Sequence, residues 1–588
     1  MSEPFRNLVD LCTRSCDAFA VSELFGTKQP SGVWRWITYA EFAKLVADFR
    51  GGLCKLGLGN GDRLAIIANN RVEWAVAAYA AYGVGATFVP MYEVQPLEEW
   101  KFILEDSEAK MVIGSTPAIV EQLRALKADL PGLERVIGLD LAASDPDSYA
   151  QVLELGAANP KSPEDPDPSQ IAGFIYTSGT TGMPKGVVLT HGNFCANINS
   201  VQGLFDFGPT DRSLSFLPWA HSFGQTAELH ILLSRGCAVA INDEVPNLVA
   251  NLAVVKPTIL LAVPRIFNRI YDGVHKQMQE RPGVIQALFR AGIRAANKRS
   301  RGERPGALEG LGLVLAERLI FSKVVARFGG RLRFAISGSA ALNKEVAEFV
   351  DALGIEVYEG YGLTEASPVV SVNYPGHRKI GSVGKAVPGV RVSIDTEVTA
   401  DPKQGEIIVH GPNVMQGYYK REQETADVLL PDGGFRTGDM GYLDADGYLY
   451  ITGRIKEQYK LETGKYVVPT PIEEELKLSP YVANAMLHGE NHPYNVALIV
   501  VDLANLKLWA ERERLELGDV ETNSRVQELI MSEVEKHAAR FKSFERPKRV
   551  AVISEDFTPE SGLLTPSLKL KRREVLKKYG ERVEALYG

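Results

Sequence analysis

The sequence predicts an α/β protein in which helices connect parallel strands. Short apolar runs rich in β-branched residues alternate with longer helical patterns over most of the 588 residues, as expected for crossover connections. At roughly 150 residues per domain, this length predicts about four domain-sized units, or fewer and larger ones. An apolar fraction of 45% and a charged fraction of 23% suit a globular protein with a sizeable core. The 54 glycines and 32 prolines favour a loop-rich enzyme over a fibre or coiled coil.

The first part of the chain alternates regularly between the two kinds of element. The predicted strands are residues 63–68, 87–91, 110–114 and 135–140, and the predicted helices are residues 39–56, 72–82 and 96–105. Residues 74–91 carry no charge, which meets the minimum length for a membrane span. Gly83 and Gly85 divide this stretch into an Ala-rich helix and a buried strand, so we predict no transmembrane helix. Charges throughout residues 1–17 argue against a secretory signal peptide.

The second part begins after a predicted loop at residues 157–170, which contain four prolines among polar residues. The strands predicted beyond it are residues 171–176, 213–217, 237–241, 258–263, 333–337 and 356–359. Residues 266–328 differ, because they form a long, basic, mostly helical block with a polar break near residues 301–305. Closely spaced turns over residues 381–453 predict a small all-β unit, and the rest of the chain returns to mixed α/β.

Charge and cysteine content exclude several functional classes. A net charge of −8 argues against electrostatic binding of nucleic acid, and we expect no nucleic-acid partner. The five cysteines have no zinc-site spacing and are too few for a disulfide scaffold. They indicate a protein of a reducing, cytoplasmic compartment.

Residues 176–186 read YTSGTTGMPKG and have the composition of a phosphate-binding loop. Their hydroxyl groups, their glycines with free backbone N–H groups and Lys185 suit a polyanion. The loop follows a predicted strand and precedes a helix predicted to begin near His191. It is not a Walker loop, because the Gly-x4-Gly-Lys-Ser/Thr spacing is absent. A flexible surface loop is the alternative, but an 11-residue string of this composition makes it the weaker one.

At this loop the sequence resembles the adenylate-forming superfamily of acyl-CoA synthetases, luciferase-like enzymes and peptide-synthetase adenylation domains. Five further motifs follow in the family's order at similar separations. They are LPWAHSFG at residues 217–224, GSAA at 338–341, YGLTE at 361–365, TGD at 437–439 and GR at 453–454. One such motif would be weak, whereas six in register extend the resemblance over nearly the whole chain.

The resemblance implies a two-domain architecture. Residues 1–453 would form an AMP-binding (adenylation) domain of two α/β sheet layers plus a small β-barrel-like unit at about residues 381–453. Residues 454–588 would form a small, mobile α+β domain. Lys456, two residues past Arg454, would be the hinge on which this domain rotates between two half-reactions.

The resemblance also implies the substrates ATP and coenzyme A, with Mg²⁺ as the metal. Thr177 and Glu365 would serve as the Mg²⁺-linked hydroxyl and carboxylate, a hard oxygen set typical of this ion. The β- and γ-phosphates would lie against Thr177, Ser178, Gly179, Thr180, Thr181, Gly182 and Lys185. The remaining nucleotide contacts would be Gly338, Ser339, Ala340, Tyr361 and Gly362 around adenine, Thr364 at the α-phosphate, and Asp439 and Arg454 at the ribose.

The acid and the thiol would be handled by a second set of residues. His221 would lie near the nascent acyl carbonyl, with Phe223 and Gly224 as walls of the carboxylate pocket. Gln225 would belong to the same pocket. It aligns with a position where some long-chain members carry a gating Trp, so a gate is not implied here. Lys569 would bridge the carboxylate and the α-phosphate, although Leu568 precedes it where relatives have Gly. Gly464 would let the backbone approach a pantetheine arm after rotation.

The function implied is that of a long-chain fatty-acid–CoA ligase. The larger helical block at residues 266–328 and segments near residues 464–474 and 561–575 resemble the long-chain subgroup. Two alternatives stay open: a fatty-acyl-AMP ligase that loads a carrier protein, and a non-catalytic acyl- or nucleotide-binding relative. Carrier-loading relatives have an insertion near the domain junction, and residues 417–453 contain none.

The partners expected are the fatty acid, ATP and CoA. The basic segments 266–328 and 542–578 leave open either peripheral contact with anionic lipid or a solvated basic surface. A homodimer is also left open.

Overall fold

The computed structural model describes residues 3–177, 183–300, 302–398, 403–565 and 568–588. The strands in these ranges are β1 Glu23–Lys28, β2 Trp34–Thr38, β3 Arg63–Ile67, β4 Thr87–Met91, β5 Met111–Gly114, β6 Arg135–Gly138, β7 Ile171–Thr177, β8 Lys185–Thr190, β9 Arg212–Ser215, β10 Ala238–Ile241, β11 Ile259–Ala262, β12 Phe334–Ser337, β13 Glu356–Gly362, β14 Val369–Val372, β15 Lys385–Ala386, β16 Arg391–Asp395, β17 Gly405–His410, β18 Gly417–Tyr418, β19 Phe435–Leu443, β20 Leu449–Arg454, β21 Tyr459–Lys460, β22 Tyr466–Val467, β23 Val482–His488, β24 Asn495–Val501 and β25 Pro547–Ile553.

The α-helices of the same ranges are α1 Leu8–Ala18, α2 Tyr39–Lys55, α3 Val72–Val84, α4 Leu97–Asp106, α5 Pro117–Leu126, α6 Tyr149–Ala158, α7 His191–Gln202, α8 Ile231–Ser234, α9 Leu248–Val255, α10 Pro264–Gln279, α11 Gly283–Ser300, α12 Ala307–Ala316, α13 Ser322–Arg327, α14 Lys344–Ala352, α15 Glu422–Ala426, α16 Pro469–Leu476, α17 Leu503–Glu513, α18 Ser524–Ala538 and α19 Arg572–Glu584.

The first layer is a seven-stranded sheet in the order β18-β8-β7-β4-β3-β5-β6. Its strands from β7 to β6 are parallel, and β4 and β5 are buried along their whole length because both sheet faces are covered. The uncharged stretch at residues 74–91 lies within α3 and β4, with Gly85 at φ +79° ending the helix. Among the described residues, no helix combines the length and apolar character needed to cross a bilayer.

A strand that the sequence pattern did not predict follows the glycine-rich loop. The loop joins β7 to β8 in an antiparallel pair, with Thr177 opposite Lys185, and α7 begins at His191 only after β8 ends. Only residues 187–190 of this strand are apolar or β-branched, a run too short to indicate a strand directly before a helix start. The pairing fixes both ends of the loop at one edge of the sheet.

The second layer consists of two sheets that lie side by side. Their strand orders are β2-β1-β10-β9 and β11-β12-β13-β14-β15. The Thr258 N–H donates to the Arg212 carbonyl at 2.8 Å, next to the starts of β11 and β9, so the sheets form a continuous layer. The main hydrophobic core contains fully buried Trp74, Phe88 and Trp219.

The remaining parts are the basic block, an antiparallel sheet and the C-terminal unit. Helices α10 to α13 occupy the basic block, and no helix covers residues 302–306. The all-β unit is the antiparallel sheet β16-β17-β19-β20.

The C-terminal unit contains the sheet β23-β24-β25 and two hydrophobic clusters whose members all lie beyond residue 460. Contacts to the rest of the protein include Asn343 Nδ2 with Glu475 at 2.6 Å and Lys571 Nζ with Glu99 at 3.6 Å.

Candidate active site

A cavity of about 610 Å³ contains most of the residues that the sequence singled out. It lies at the carboxyl ends of β7, β12 and β13, where the two sheet layers approach the C-terminal unit. The predicted residues that line it are Thr177, Lys185, His221, Phe223, Gly338, Ser339, Tyr361, Gly362, Thr364, Glu365, Arg454, Lys456 and Lys569. Asp439 lies directly behind this surface, and Ser178, Gly179, Thr180, Thr181 and Gly182 lie outside the described residues.

The polar end, as we call the part of the cavity bordered by Tyr361, Arg454 and Lys569, is organised by Asp439. The Tyr361 hydroxyl donates to Asp439 Oδ2 at 2.7 Å, and Arg454 Nε donates to Oδ1 at 2.7 Å. The register of β19 and β20 places Asp439 opposite Arg454. The nearby Asp439 charge raises the pKa of Arg454, and burial raises the pKa of Tyr361 well above its usual value. The carboxylate thus fixes two side chains that border the cavity.

Glu365 and Lys185 have partners that the sequence did not indicate. The Tyr418 hydroxyl donates to Glu365 Oε1 at 2.9 Å, and Lys185 Nζ lies 5.2 Å from the centre of the Tyr418 ring. Lys185 also forms an ion pair with Glu424, on α15. Tyr418 and Glu424 were missed because only the pairing of β18 with β8 brings residues so far along the chain together.

His221 enters the cavity as a neutral imidazole. Burial, followed by the charge of Lys569, lowers the pKa of His221 to about 4. Its Nδ1 accepts from the Phe223 N–H at 3.2 Å, so the proton of the neutral ring belongs on Nε2. The Ser222 and Thr364 hydroxyls are 3.0 Å apart and join this segment to the 3-10 turn Thr364–Ala366.

Phe223 and Gly338 are in close contact across the cavity wall. A Cβ at Gly338 would lie only 3.0–3.3 Å from three atoms of the Phe223 ring. Gly338 is therefore required by the packing of an aromatic residue from another segment. The resemblance implied only that Gly338 lies near adenine.

A π-helix, Gly224–His230, carries the cavity wall inward. Gly224 permits its approach to the Pro218 carbonyl, since a Cβ would lie 2.3 Å from that oxygen. Ala227 and Ile231 line the cavity, one helical turn apart. We predicted that Gln225 would also line the pocket, but its amide is buried and donates to the Tyr82 hydroxyl at 3.0 Å. The wider turn of a π-helix rotates Gln225 towards α3 and away from the cavity.

Glu228 is a buried acid behind the same wall. Its Oε2 accepts from the Ser215 hydroxyl at 2.5 Å and from Trp219 Nε1 at 3.3 Å. Burial raises the pKa of this carboxyl to about 8. It is therefore largely protonated at neutral pH and stabilises the wall as a neutral group.

The inner end of the cavity is apolar. Its lining residues come from α7, the segment that follows it, α8 and the strands of the second layer. They are Val201, Phe205, Phe207, Ile231, Leu232, Ile259, Leu261, Phe334, Ile336 and Val372. Such a lining offers an alkyl chain no hydrogen-bond partner and gains free energy from its burial. We call this part the apolar arm.

Lys569 reaches the polar end from the C-terminal unit. Its backbone N–H donates to the Thr565 hydroxyl, and Leu564 pairs with Leu570 beside it. Lys569 is an exposed residue at the cavity rim. Desolvation, followed by the Arg454 charge, lowers the pKa of Lys569, while Asp439 and Glu365 act in the opposite direction. Leu568 has φ +62°, a conformation that favours glycine.

Three other predicted residues lie away from this surface. Ala340, Gly224 and Gly464 are not among the described residues that line the cavity. Gly464 has φ +81° in the turn between β21 and β22, so glycine is suited to its backbone conformation.

Comparisons with known proteins agree with this architecture. The AMP-binding enzyme family matches residues 10–419, and the AMP-binding enzyme C-terminal domain matches residues 456–588. A long-chain-fatty-acid–CoA ligase, FadD15, of Mycobacterium bovis is 33% identical over 95% of this chain and 93% of its own. Human long-chain-fatty-acid–CoA ligase 1 is 31% identical over 96% of this chain and 84% of its own.

A solved structure shares the fold as well. The adenylation domain of a carboxylate reductase from Mycobacterium chelonae superposes with a TM-score of 0.80 at 24% identity, covering 100% of this chain and 92% of that one. The adenylate-forming fold predicted from the six motifs is thereby confirmed. The chain belongs to the AMP-binding enzyme family.

Proposed function

We propose that this protein is an ATP-dependent fatty-acid–CoA ligase that acts on long-chain acids. One observation carries the proposal: the polar end and the apolar arm are parts of one cavity, with His221 and Phe223 between them. The names of the relatives, long-chain-fatty-acid–CoA ligases, agree with it. A site of this form suits a substrate with a carboxylate head and an alkyl tail beside a nucleotide.

The first half-reaction forms an acyl-adenylate. A carboxylate oxygen of the acid attacks the α-phosphorus of ATP, the bond from that phosphorus to the bridging oxygen breaks, and pyrophosphate leaves. Two anions meet in this step, so fixed positive charge and hydrogen-bond donors lower the barrier. Lys569 bridges the carboxylate and the α-phosphate, His221 donates from Nε2 to the carboxylate, and Thr364 contacts the α-phosphate.

The nucleotide is held by the rest of the polar end. Adenine lies between Tyr361 and the backbone of Gly338 and Ser339, next to Gly362, and the ribose hydroxyls donate to Asp439 beside Arg454. Residues 177–182 and Lys185 hold the outer phosphates. Thr177 and Glu365 fit Mg²⁺, because both offer hard oxygen atoms on the cavity surface. When bound, Mg²⁺ neutralises phosphate charge.

The second half-reaction transfers the acyl group to CoA. The thiol sulfur attacks the acyl carbonyl carbon, the thiol proton is released, and the bond to AMP breaks. Lys569 occupies the space a thiol needs, so we propose that residues 454–588 rotate about Lys456 as a mobile domain against residues 1–453. Gly464 then adjoins the pantetheine arm. We also propose a reducing, cytoplasmic location, since all five cysteines are free thiols.

The test uses purified protein with ATP, Mg²⁺, CoA and acids from acetate to long-chain fatty acids. Mass spectrometry follows acyl-AMP and acyl-CoA. We expect acyl-CoA, formed fastest from long-chain acids. Accumulation of acyl-AMP without acyl-CoA would favour a carrier protein as acceptor, and no product from any acid would refute the proposal.

A further inference from the structure

Helix α12 contains one acidic residue, Glu309, and is otherwise formed by Ala, Gly, Leu and Val. Leu313 and Ala316 are buried, whereas Leu308, Leu311 and Leu315 are 86%, 60% and 42% exposed. Val314 and Leu319 extend this exposed surface, which we call the α12 face. Apolar side chains thus lie on the exposed side of α12 as well as on its buried side, an arrangement that is normally covered by a core or by lipid.

The exposure of the α12 face is set by firm packing on the opposite side. A Cβ at Gly292 of α11 would lie 2.5 Å from the Cβ of Ala316, so the two helices are at close contact there. Glu309 and Glu317 join the same pair of helices through ion pairs with Lys298 at 2.8 Å and Arg299 at 3.0 Å. The leucines cannot turn inward without breaking this contact. Contiguous exposed apolar surface of this kind marks an interaction site.

The surroundings of the α12 face are strongly basic. Residues 281–331 contain eleven Arg and Lys residues but three acidic ones, a net charge of +8 in a chain whose total is −8. Glu309 and Glu317 are already paired within the two helices. Arg294, Arg318 and Lys323 are exposed around the apolar surface. The partner must therefore accept leucine side chains and carry negative charge.

We propose that the α12 face docks this protein onto an anionic lipid bilayer. An amphipathic surface with leucines between basic residues inserts at the boundary of headgroups and acyl chains. The ten residues of α12 span about 15 Å, half of the hydrocarbon thickness, so the helix lies on the bilayer. A second copy is a poorer partner, because a two-fold contact would place the same positive charge on both sides. The proposal does not rest on the identity of the acid.

The experiment measures co-sedimentation of the full-length protein with two kinds of vesicle: phosphatidylcholine alone and phosphatidylcholine with phosphatidylglycerol. We expect binding to the anionic vesicles, weakened by salt. The combined substitutions Leu308→Ser, Leu311→Ser and Leu315→Ser should weaken binding at least about tenfold. The matched control is Val245→Ser, Val249→Ser and Val254→Ser, which removes three valines of 61–63% exposure next to acidic Asp243 and Glu244. It should bind like the unchanged protein.

Several results would overturn the proposal. They are no binding by the unchanged protein, equal binding by the leucine variant, or equal loss in the valine control. Self-association that the leucine variant abolishes in the absence of lipid would assign the surface to a second copy instead. Should the leucine variant not fold, Arg318→Gln with Lys323→Gln removes charge alone. That variant should lose several-fold binding to anionic vesicles at unchanged Tm, and unchanged binding would again overturn the proposal.

Discussion

The apolar arm makes a quantitative prediction about chain length. Phe223, Ala227 and Ile231 follow one another along the cavity wall at intervals of four residues. The step from Ala227 to Ile231 covers roughly 5 Å, because a π-helix rises less per residue than the about 1.5 Å of an α-helix. This distance is room for about four methylene groups. Ala227 is small and buried in the wall, so Ala227→Phe should fill the arm at this point.

The expected loss follows from the methylenes that can no longer be buried. At about 0.8 kcal/mol each, four of them correspond to about 3 kcal/mol, or a decrease of about 200-fold in kcat/KM for long-chain acids. Acids that end before Ala227 should keep their rate.

The assay determines kcat/KM for acyl-CoA formation over a series of chain lengths. Val254→Phe, on the exposed side of α9, serves as a control for the added ring. An equal decrease for short and long acids, or an unchanged long-chain rate, would refute the assignment of the arm to the alkyl chain.

Three further predictions concern the residues around the cavity. Glu424→Gln should lower the KM for ATP by up to about fivefold. The partly exposed ion pair between Glu424 and Lys185 contributes at most about 1 kcal/mol, and in the variant it no longer competes with phosphate for Lys185. An unchanged or higher KM in steady-state kinetics would contradict this. Gly338→Ala should lower kcat/KM for the acid by about tenfold, because the new methyl group displaces Phe223. The KM for ATP should be nearly unchanged. A change in the KM for ATP alone would show that the methyl group disturbs the nucleotide instead. Burial raises the pKa of Glu228 to about 8, so its stabilising protonated form is fully present below pH 4.5 and is lost as the pH rises through 8. Denaturant unfolding should therefore show Glu228→Gln gaining about 1.4 kcal/mol per pH unit over the unchanged protein between these values, and a constant difference would mean that the acid is already ionised.

The sequence predicted regular elements well where local pattern and tertiary burial agree. The stretch at residues 74–91 is an example, because Gly85 both breaks the helical pattern and adopts the left-handed conformation that ends α3. Strand β8 was missed, since its six residues lie between a loop motif and a strong helix start.

The candidate site was predictable residue by residue only through the resemblance. Composition does not distinguish Lys569 from Lys571 or Arg572. Lys569 and Lys571 both line the cavity, whereas Arg572 pairs with Glu473. Tyr418 and Glu424 carry no local signal, because their contacts depend on strand pairing. The direction of Gln225 depends on a π-helix, which a period of 3.6 residues cannot reveal.

The central claim is that Lys569 serves the first half-reaction and must leave before the second. The most direct measurement follows each half-reaction separately in Lys569→Ala. Acyl-AMP formation is measured from acid and ATP, and acyl-CoA formation is measured from supplied acyl-AMP and CoA. We predict that the rate of acyl-AMP formation falls at least about a hundredfold, since losing a charge that stabilises a transition state commonly costs this much. The rate at which supplied acyl-AMP is converted to acyl-CoA should be unchanged. An equal decrease in both half-reactions would contradict the claim.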